Sequence, residues 1–427
     1  MQKGRQKPQR RAPVLQSLRV VDLSMGWAGP LAAMLLADFG AEIIKIESTR
    51  RMDWWRADLI GDDPEDRPYE KVAHFNGVNR NKYDCTLDLT DPRAADLLRR
   101  LIAASDVLIE NYTPRVMENF GLTYEVVRTI NPTLVMLSMP AFGSSGPWRD
   151  YAAYGNTIDP LSGVTGLTGH PDGSPILASN AYGDPVSGVG GAIGVLMALV
   201  QRRRTGRGQH IELSHQELSV HHVSQTLLDY VMNGRVAGRQ GNRHPWMAPH
   251  GVYPCKGDDE WIAIAVASDE EWEALCSVLC HSDVAADPRF ADGMSRWHNQ
   301  DELDALLGER TPGWHKLDLA LRLQEAGICA EPVNSSADVL KDPQIKVRSS
   351  FVWMDRKHVG HHPYPGVTAR LSATPGEAYM PAPTLGEHNG FVLGELLGLS
   401  KEGVQNLERD GAIGNRAEAP ESHQGMQ

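Results

Sequence analysis

Long apolar runs are missing from this chain. No stretch of its 427 residues approaches the roughly 20 apolar positions that a membrane-spanning helix needs, and no signal-peptide core is evident. A membrane role is therefore not expected. Cysteine is scarce too. Cys85, Cys255, Cys276, Cys280 and Cys329 are odd in number, and only Cys276 and Cys280 are close together. That usage supports neither a disulfide framework nor a zinc site, and it fits a reducing, cytoplasmic location. Positive charge is also short. Lys and Arg number 42 against 54 Asp and Glu, a net charge of −12, which argues against nonspecific nucleic-acid binding as the main role. The first residues run against that trend: Lys3, Arg5, Lys7, Arg10, Arg11 and Arg19 face no acid. They lack the apolar face and hydroxyls of a transit peptide, so 1–14 reads as a disordered basic tail.

What remains is an ordinary globular composition, 41% hydrophobic and 22% charged, in a chain long enough for two domains. RVVDL at 19–23 reads as a buried strand. A helix starts at Gly29-Pro30 with Leu31, Met34, Leu35 and Phe39 on one face, Gly40 ends it, and EIIKIE at 42–47 reads as a second strand. This βαβ unit implies a parallel sheet covered by helices. The alternation continues through a helix at 93–104, a strand at 106–109, a helix at 124–130 and a strand at 134–138. Residues 140–190 are rich in Gly, Pro and Ser and read as loops. A helix at about 187–203, a strand at 207–214 and a helix at 215–232 follow. Composition shifts at about 233–255, and 256–345 reads as a smaller α/β domain before a return towards the first. The expected fold is therefore α/β, an open Rossmann-like large domain plus a smaller α/β domain. The expected division is 15–234 (large), 235–345 (small with linkers), 346–410 (return to the large domain) and 411–427 (flexible tail).

The glycines of Gly26-Trp27-Ala28-Gly29-Pro30 do not have the spacing of a dinucleotide fingerprint, so an NAD-dependent oxidoreductase is disfavoured. Several ordered segments carry a stronger signal. They are Ala28-Gly29-Pro30 with LLADFGAEIIKIE (35–47), NRNKYDCTLDL (79–89), DVLIENYTPRVMENFGL (106–122), INPTLVMLSMPAFGSSGPW (130–148), RRRTGRGQHIEL (202–213) and LGEHNGFVLGELLGLS (385–400). Together they resemble the class III (CaiB/BaiF) CoA-transferases over about 15–400. The resemblance implies CoA transfer from an acyl-CoA donor, such as succinyl-CoA, to a carboxylic acid. It also implies a ring-shaped protomer interlocked in a dimer. A homodimer is expected, with a hetero-oligomer containing a related subunit as the alternative. No tightly bound cofactor is implied, since coenzyme A and its thioesters are the substrates.

Asp184, in AYGDPVSG (181–188), matches the family's nucleophile, a carboxylate that can attack a thioester and pass through an aspartyl-CoA thioester. Read without the resemblance, an Asp before Pro at a helix start is an N-cap. Tyr154 stands where the family's racemase branch carries a catalytic His. A phenol with a pKa of about 10 is a poor second base, so transfer is favoured over the alternative, acyl-CoA epimerisation. Trp27 stands where a formyl-CoA transferase has a site glutamine, and Ala152 and Asn119 replace a Lys and an Arg of that enzyme. An oxalate–formate pair is therefore disfavoured. Trp27, Tyr154 and His250, the last in the aromatic loop 244–251, are the expected substrate-binding residues. Arg50, Lys82, Asn111, Tyr112 and Arg115 are the expected CoA contacts. Arg51, Trp54, Trp55 and Arg56 lie beside them, where guanidinium groups would pair with phosphate and aromatic faces would stack on adenine. No metal site is expected, because the histidines lack metal-ligand spacing.

Overall fold

The computed structural model describes residues 12–56, 67–178, 181–279 and 282–418. The expected basic tail up to residue 11, Cys280 and residues 419–427 lie outside the described residues. The first elements are β1 (Arg19–Asp22), α1 (Ala28–Asp38) and β2 (Glu42–Glu47). Then come α2 (Ala73–Val78), β3 (Lys82–Thr86), α3 (Pro92–Ala103), β4 (Val107–Glu110), α4 (Pro114–Asn119), α5 (Tyr124–Ile130) and β5 (Val135–Ser138). They are followed by α6 (Gly155–Leu161), α7 (Gly183–Thr205), β6 (His210–Glu212), α8 (His215–His221) and α9 (Ser224–Asn233). Six strands form one sheet in the order β3-β2-β1-β4-β5-β6, and every pair is parallel. This is the doubly wound α/β order, with β1 and β4 adjacent where the strand order reverses.

Alternate strand residues face opposite sides, so a sheet covered on both faces needs near-continuous apolar strands. Val20, Ile43, Val107 and Val135 point into a core with Ala32, Leu36, Val195 and Ala198 of α1 and α7. Val21, Ile44, Leu108 and Met136 point the other way, onto Leu98 and Leu101 of α3 and onto Val392 and Leu393. Close approach of α1 and α7 depends on Gly188, where a Cβ would lie 2.8 Å from the Ala28 carbonyl oxygen.

A buried ionic network lies beyond the strand ends. Arg56 is fully buried, 2.9 Å from Glu47 and 2.6 Å from Glu70, with its guanidinium over the Phe75 ring. Arg356 of β10 (Phe351–Arg356, with β7 to β9 described below) reaches the same Glu70 at 2.8 Å, joining the late segment of the chain to the early one. Arg56, then a hydrogen bond with Asp84 and the buried Lys45, hold the Glu47 carboxyl well below its usual range against the cost of its burial. Arg56→Met should therefore destabilise the fold by about 3–5 kcal/mol, since it leaves buried carboxylates unpaired. Chemical denaturation would check this, and an unchanged midpoint would contradict it.

The chain divides into two compact units, Met1–Thr165 with Leu177–Val231 and Val347–Gln427, and Gly166–Ile176 with Met232–Lys346. The second unit carries an antiparallel sheet of β7 (His250–Pro254), β8 (Trp261–Ala265) and β9 (Cys329–Val333). Ile262, Ile264, Trp272, Leu307 and Leu323 fill its core.

Several expectations are corrected. Residues 166–176 join the smaller unit. The chain does not become a tail at 411, because Ala412 and Ile413 are buried against the first core and Gly414 N–H donates to Thr86. Residues 140–190 are not all loop: they hold α6 and the start of α7. The helix expected at 215–232 is two, broken at 222–223. Finally, α7 has 23 residues and is long and apolar enough to cross a membrane, contrary to the reading of the sequence. Half of that apolar window is buried within the protein, as in a core helix.

Candidate active site

Asp184 stands in the first turn of α7, which begins at Gly183, four residues before the expected start at about 187. The N-cap reading does not hold. Asp159 of α6, fully buried, accepts the Tyr182 N–H at 2.8 Å and the Gly183 N–H at 2.9 Å, so it satisfies the opening amides of α7. Tyr182, not Asp184, holds the N-cap position, and its side chain makes no cap hydrogen bond. The Asp184 carboxylate sits instead at the positive end of a long helix, which suits a group carrying negative charge. The turn leading into it passes through Ala181 at φ +95°, a conformation that normally requires glycine.

The two carboxyl oxygens have different surroundings. Oδ1 lies 3.4 Å from Nδ1 of His215, the first residue of α8. Oδ2 lies against Gly155. A Cβ at Gly155 would come within 2.9 Å of Oδ2, 2.8 Å of Asp184 Cγ and 2.4 Å of the Ala181 Cβ, so only glycine fits. Asp184, with 14% of its side chain exposed, reaches a cavity of about 900 Å³. Gly155 shares that cavity's wall, whereas His215 does not.

Trp27, Trp54, Trp55 and Tyr154 build an aromatic wall on the same cavity. Trp27 and Trp55 have ring centroids 5.4 Å apart, and Trp54 meets Tyr154 edge-on at 5.4 Å. Leu31 and Met34 of α1, Val78 of α2 and Val367 continue the apolar lining, and His74 and Arg80 bring the basic groups. This composition suits a ligand with an apolar body and few polar anchors.

Of the expected site residues, Asp184, Trp27 and Tyr154 therefore share one cavity. The others do not line it. Lys82 is corrected most firmly. It is fully buried, and its Nζ donates to Asp22 and Asn79, each at 2.8 Å, and to the Pro30 carbonyl at 2.9 Å. Burial pushes its ammonium down to about 8, and the partners are core groups, so it ties the sheet to α1 and is not a ligand contact. Asn111 is committed to the backbone of Met25, accepting its N–H at 2.9 Å and donating to its carbonyl at 2.8 Å. Tyr112 donates to the Leu23 carbonyl, and burial holds its phenol well above the usual range. Both brace the loop after β1. Arg50 is exposed and pairs with Asp88 and Glu418, each at 3.1 Å, and Arg115 is exposed on α4. His250 belongs to the second unit, on β7, with Nδ1 2.6 Å from the Asn242 carbonyl. Arg56 is buried in the ionic network and is likewise no phosphate contact. Among the described residues, no group of three His, Cys, Asp or Glu could hold a metal ion.

His215, Asp159 and Gly155 went unread in the sequence. The only local signal for His215 is Ser214 with Glu217, a helix-start pattern that places the histidine at the first helical position beyond an edge strand.

Fold and site together define an α/β enzyme with a carboxylate held at the wall of an aromatic cavity. The chain belongs to CoA-transferase family III, whose model matches residues 15–389. It is similar to the succinyl-CoA–D-citramalate CoA-transferase of Chloroflexus aurantiacus, 32% identical over 398 residues, 92% of this chain and 96% of that one. The succinate–glutarate CoA-transferase of Agrobacterium fabrum is 32% identical over 389 residues, 90% of this chain and 96% of that one. Among solved structures, a CaiB/BaiF family protein from Brucella suis superposes with a TM-score of 0.83 at 33% identity, covering 90% of this chain and all of that one.

Proposed function

We propose that this enzyme moves CoA from succinyl-CoA to a second carboxylic acid through an aspartyl-CoA thioester on Asp184. The observation that carries the reading is the placement of Asp184. Its carboxylate is free of capping duty, stands at a helix N-terminus and meets a cavity large enough for an acyl group. Covalent catalysis divides one exchange into easier steps. Oδ2 attacks the acyl carbonyl and CoA thiolate leaves, giving a mixed anhydride. The thiolate then attacks Cγ and expels the donor acid. The acceptor carboxylate reverses the sequence and leaves as its CoA ester.

Two named relatives act with dicarboxylic acids, citramalate and glutarate, which supports a dicarboxylate acceptor. Arg50 and Arg115, both beyond the C-terminal ends of parallel strands, are the arginines we assign to the CoA phosphates. His250 stays a proposed substrate contact. Incubation with succinyl-CoA and a panel of mono- and dicarboxylic acids, read by mass spectrometry, tests the assignment. A new CoA ester is expected with at least one dicarboxylate. Exchange of the α-proton of a branched acyl-CoA, with no new ester, would favour the epimerase alternative.

Trp27 sets acceptor choice in this reading, because its ring is part of the aromatic wall. Trp27→Ala should reorder the acceptor panel while leaving inhibition by free CoA within about twofold, since a packing loss of one aromatic face acts on the acyl group alone. Collapse of CoA binding would contradict it. The assembly proposed is a homodimer, with a related second subunit as the alternative, in a reducing cytoplasm. Exposed Leu227, Leu228, Tyr230 and Val231 on α9 supply an apolar surface for it. Light scattering should give at least twice the chain mass, and a stable monomer would overturn this part.

A further inference from the structure

We infer that His215 supplies the hydrogen bond that stabilises the oxyanion formed on Oδ1 of Asp184 each time the aspartyl carbonyl is attacked. The inference rests on the reading of Asp184 as the covalent nucleophile. With Oδ1 beside His215 Nδ1 and Oδ2 over Gly155 on the cavity wall, the two oxygens have separate tasks. Oδ2 attacks the acyl carbon and becomes the bridging oxygen of the anhydride. Oδ1 remains the carbonyl oxygen of the aspartyl group in both the anhydride and the thioester.

When CoA thiolate adds to Cγ of the anhydride, the carbonyl π electrons move onto Oδ1. Collapse then expels the donor carboxylate, which carries Oδ2 away, and leaves the thioester. When the acceptor carboxylate adds to that thioester, charge develops on Oδ1 again and the thiolate leaves. No proton is gained or lost in either step, so what Oδ1 needs is a fixed donor. His215 Nδ1 lies 3.4 Å from Oδ1, and the bond forms as that distance shortens in the tetrahedral state.

The fold offers no competing use for this ring. His215 is buried, and its Nε2 has no hydrogen-bond partner. The start of α8 is capped by Ser214, whose Oγ accepts the Glu217 N–H at 3.3 Å, so the histidine side chain is not needed there. A buried ring with one unsatisfied nitrogen is a cost to stability. Its remaining nitrogen lies beside Oδ1, on which charge must accumulate whenever Cγ is attacked.

The test uses His215→Leu, which fills the ring's space, and His215→Asn, whose amide can restore a donor near the Nδ1 position. Loss of one oxyanion donor is expected to lower kcat by about 10²-fold, with KM for succinyl-CoA within about twofold. His215→Asn should recover at least tenfold of that loss, on the order of one hydrogen bond to a charged group. Borohydride added within the first turnover reduces an aspartyl thioester to the alcohol. It should mark the Asp184 peptide in the wild type and several-fold less in His215→Leu, because thioester formation needs attack at Cγ. Thermal unfolding identifies a variant that has merely lost its fold, and the Asn variant then carries the comparison. Wild-type kcat in folded His215→Leu, or an Asn variant no better than Leu, overturns the role of His215. An active Asp184→Asn enzyme overturns the underlying nucleophile reading, and the inference with it. Inactive Asp184→Asn beside fully active His215→Leu overturns the inference alone.

Discussion

Asp184→Asn should lower CoA transfer by about 10³-fold or more, the loss expected when an essential nucleophile is removed. The substitution keeps the shape of the side chain and removes the anionic oxygen. The structure makes it a clean test, because Asp159 rather than Asp184 satisfies the opening amides of α7. Stability should therefore change by no more than about 1 kcal/mol, the size of a cap contribution. Binding of CoA should be retained, since the exposed arginines beyond the strand ends are untouched. Steady-state transfer, CoA inhibition and thermal unfolding measured on the same preparation separate the outcomes. A large loss of stability with modest loss of activity would return Asp184 to a structural role.

Gly155→Ala should have the second-largest effect. The added Cβ would meet Asp184 Cγ at 2.8 Å and the Ala181 Cβ at 2.4 Å, both too close for real contacts. One of the two must move. Displacing a nucleophile by about 1 Å costs on the order of 10² in rate, while overpacking of this kind destabilises by about 1–3 kcal/mol. The two consequences can be separated. Ala181→Gly in the Gly155→Ala background removes the clash between the two Cβ atoms and relaxes the positive φ at position 181, so stability should recover. Activity should stay low, because the contact with Asp184 persists. Full recovery of activity in the double variant would show that Gly155 serves folding and not the placement of Asp184.

How far the sequence carried these conclusions depended on what each residue packs against. The βαβ start was legible because Val20, Val21, Ile43 and Ile44 are buried on both faces of the sheet and α1 is almost wholly apolar; the expected face of Leu31, Met34, Leu35 and Phe39 lines the cavity, and Ala32, Ala33 and Leu36 enter the core. Strand β3 was not, since KYDCT hides two of its ionisable residues in buried ion pairs and shows no apolar run. Lys82 was misread for the same reason: nothing local reveals that Asp22, sixty residues earlier, takes its charge. The motif around Asp184 was legible through family resemblance. Its freedom from capping was not, because the residue that caps α7 lies on α6. Gly155 and His215 meet Asp184 only through the crossing of α6, α7 and α8, and no spacing in the chain encodes that crossing. Tyr154 and Trp27, expected as substrate contacts from the family pattern, line one cavity with Trp54 and Trp55, and no spacing in the chain shows that the four rings meet.

The most direct test of the central claim is to look for the covalent bond. The enzyme is incubated with succinyl-CoA and no acceptor, then treated with hydroxylamine, digested, and its peptides weighed. The account predicts a hydroxamate on the peptide containing Asp184, absent when the donor is omitted and absent from Asp184→Asn. An unmodified Asp184 peptide from an enzyme that transfers CoA at full rate would contradict it.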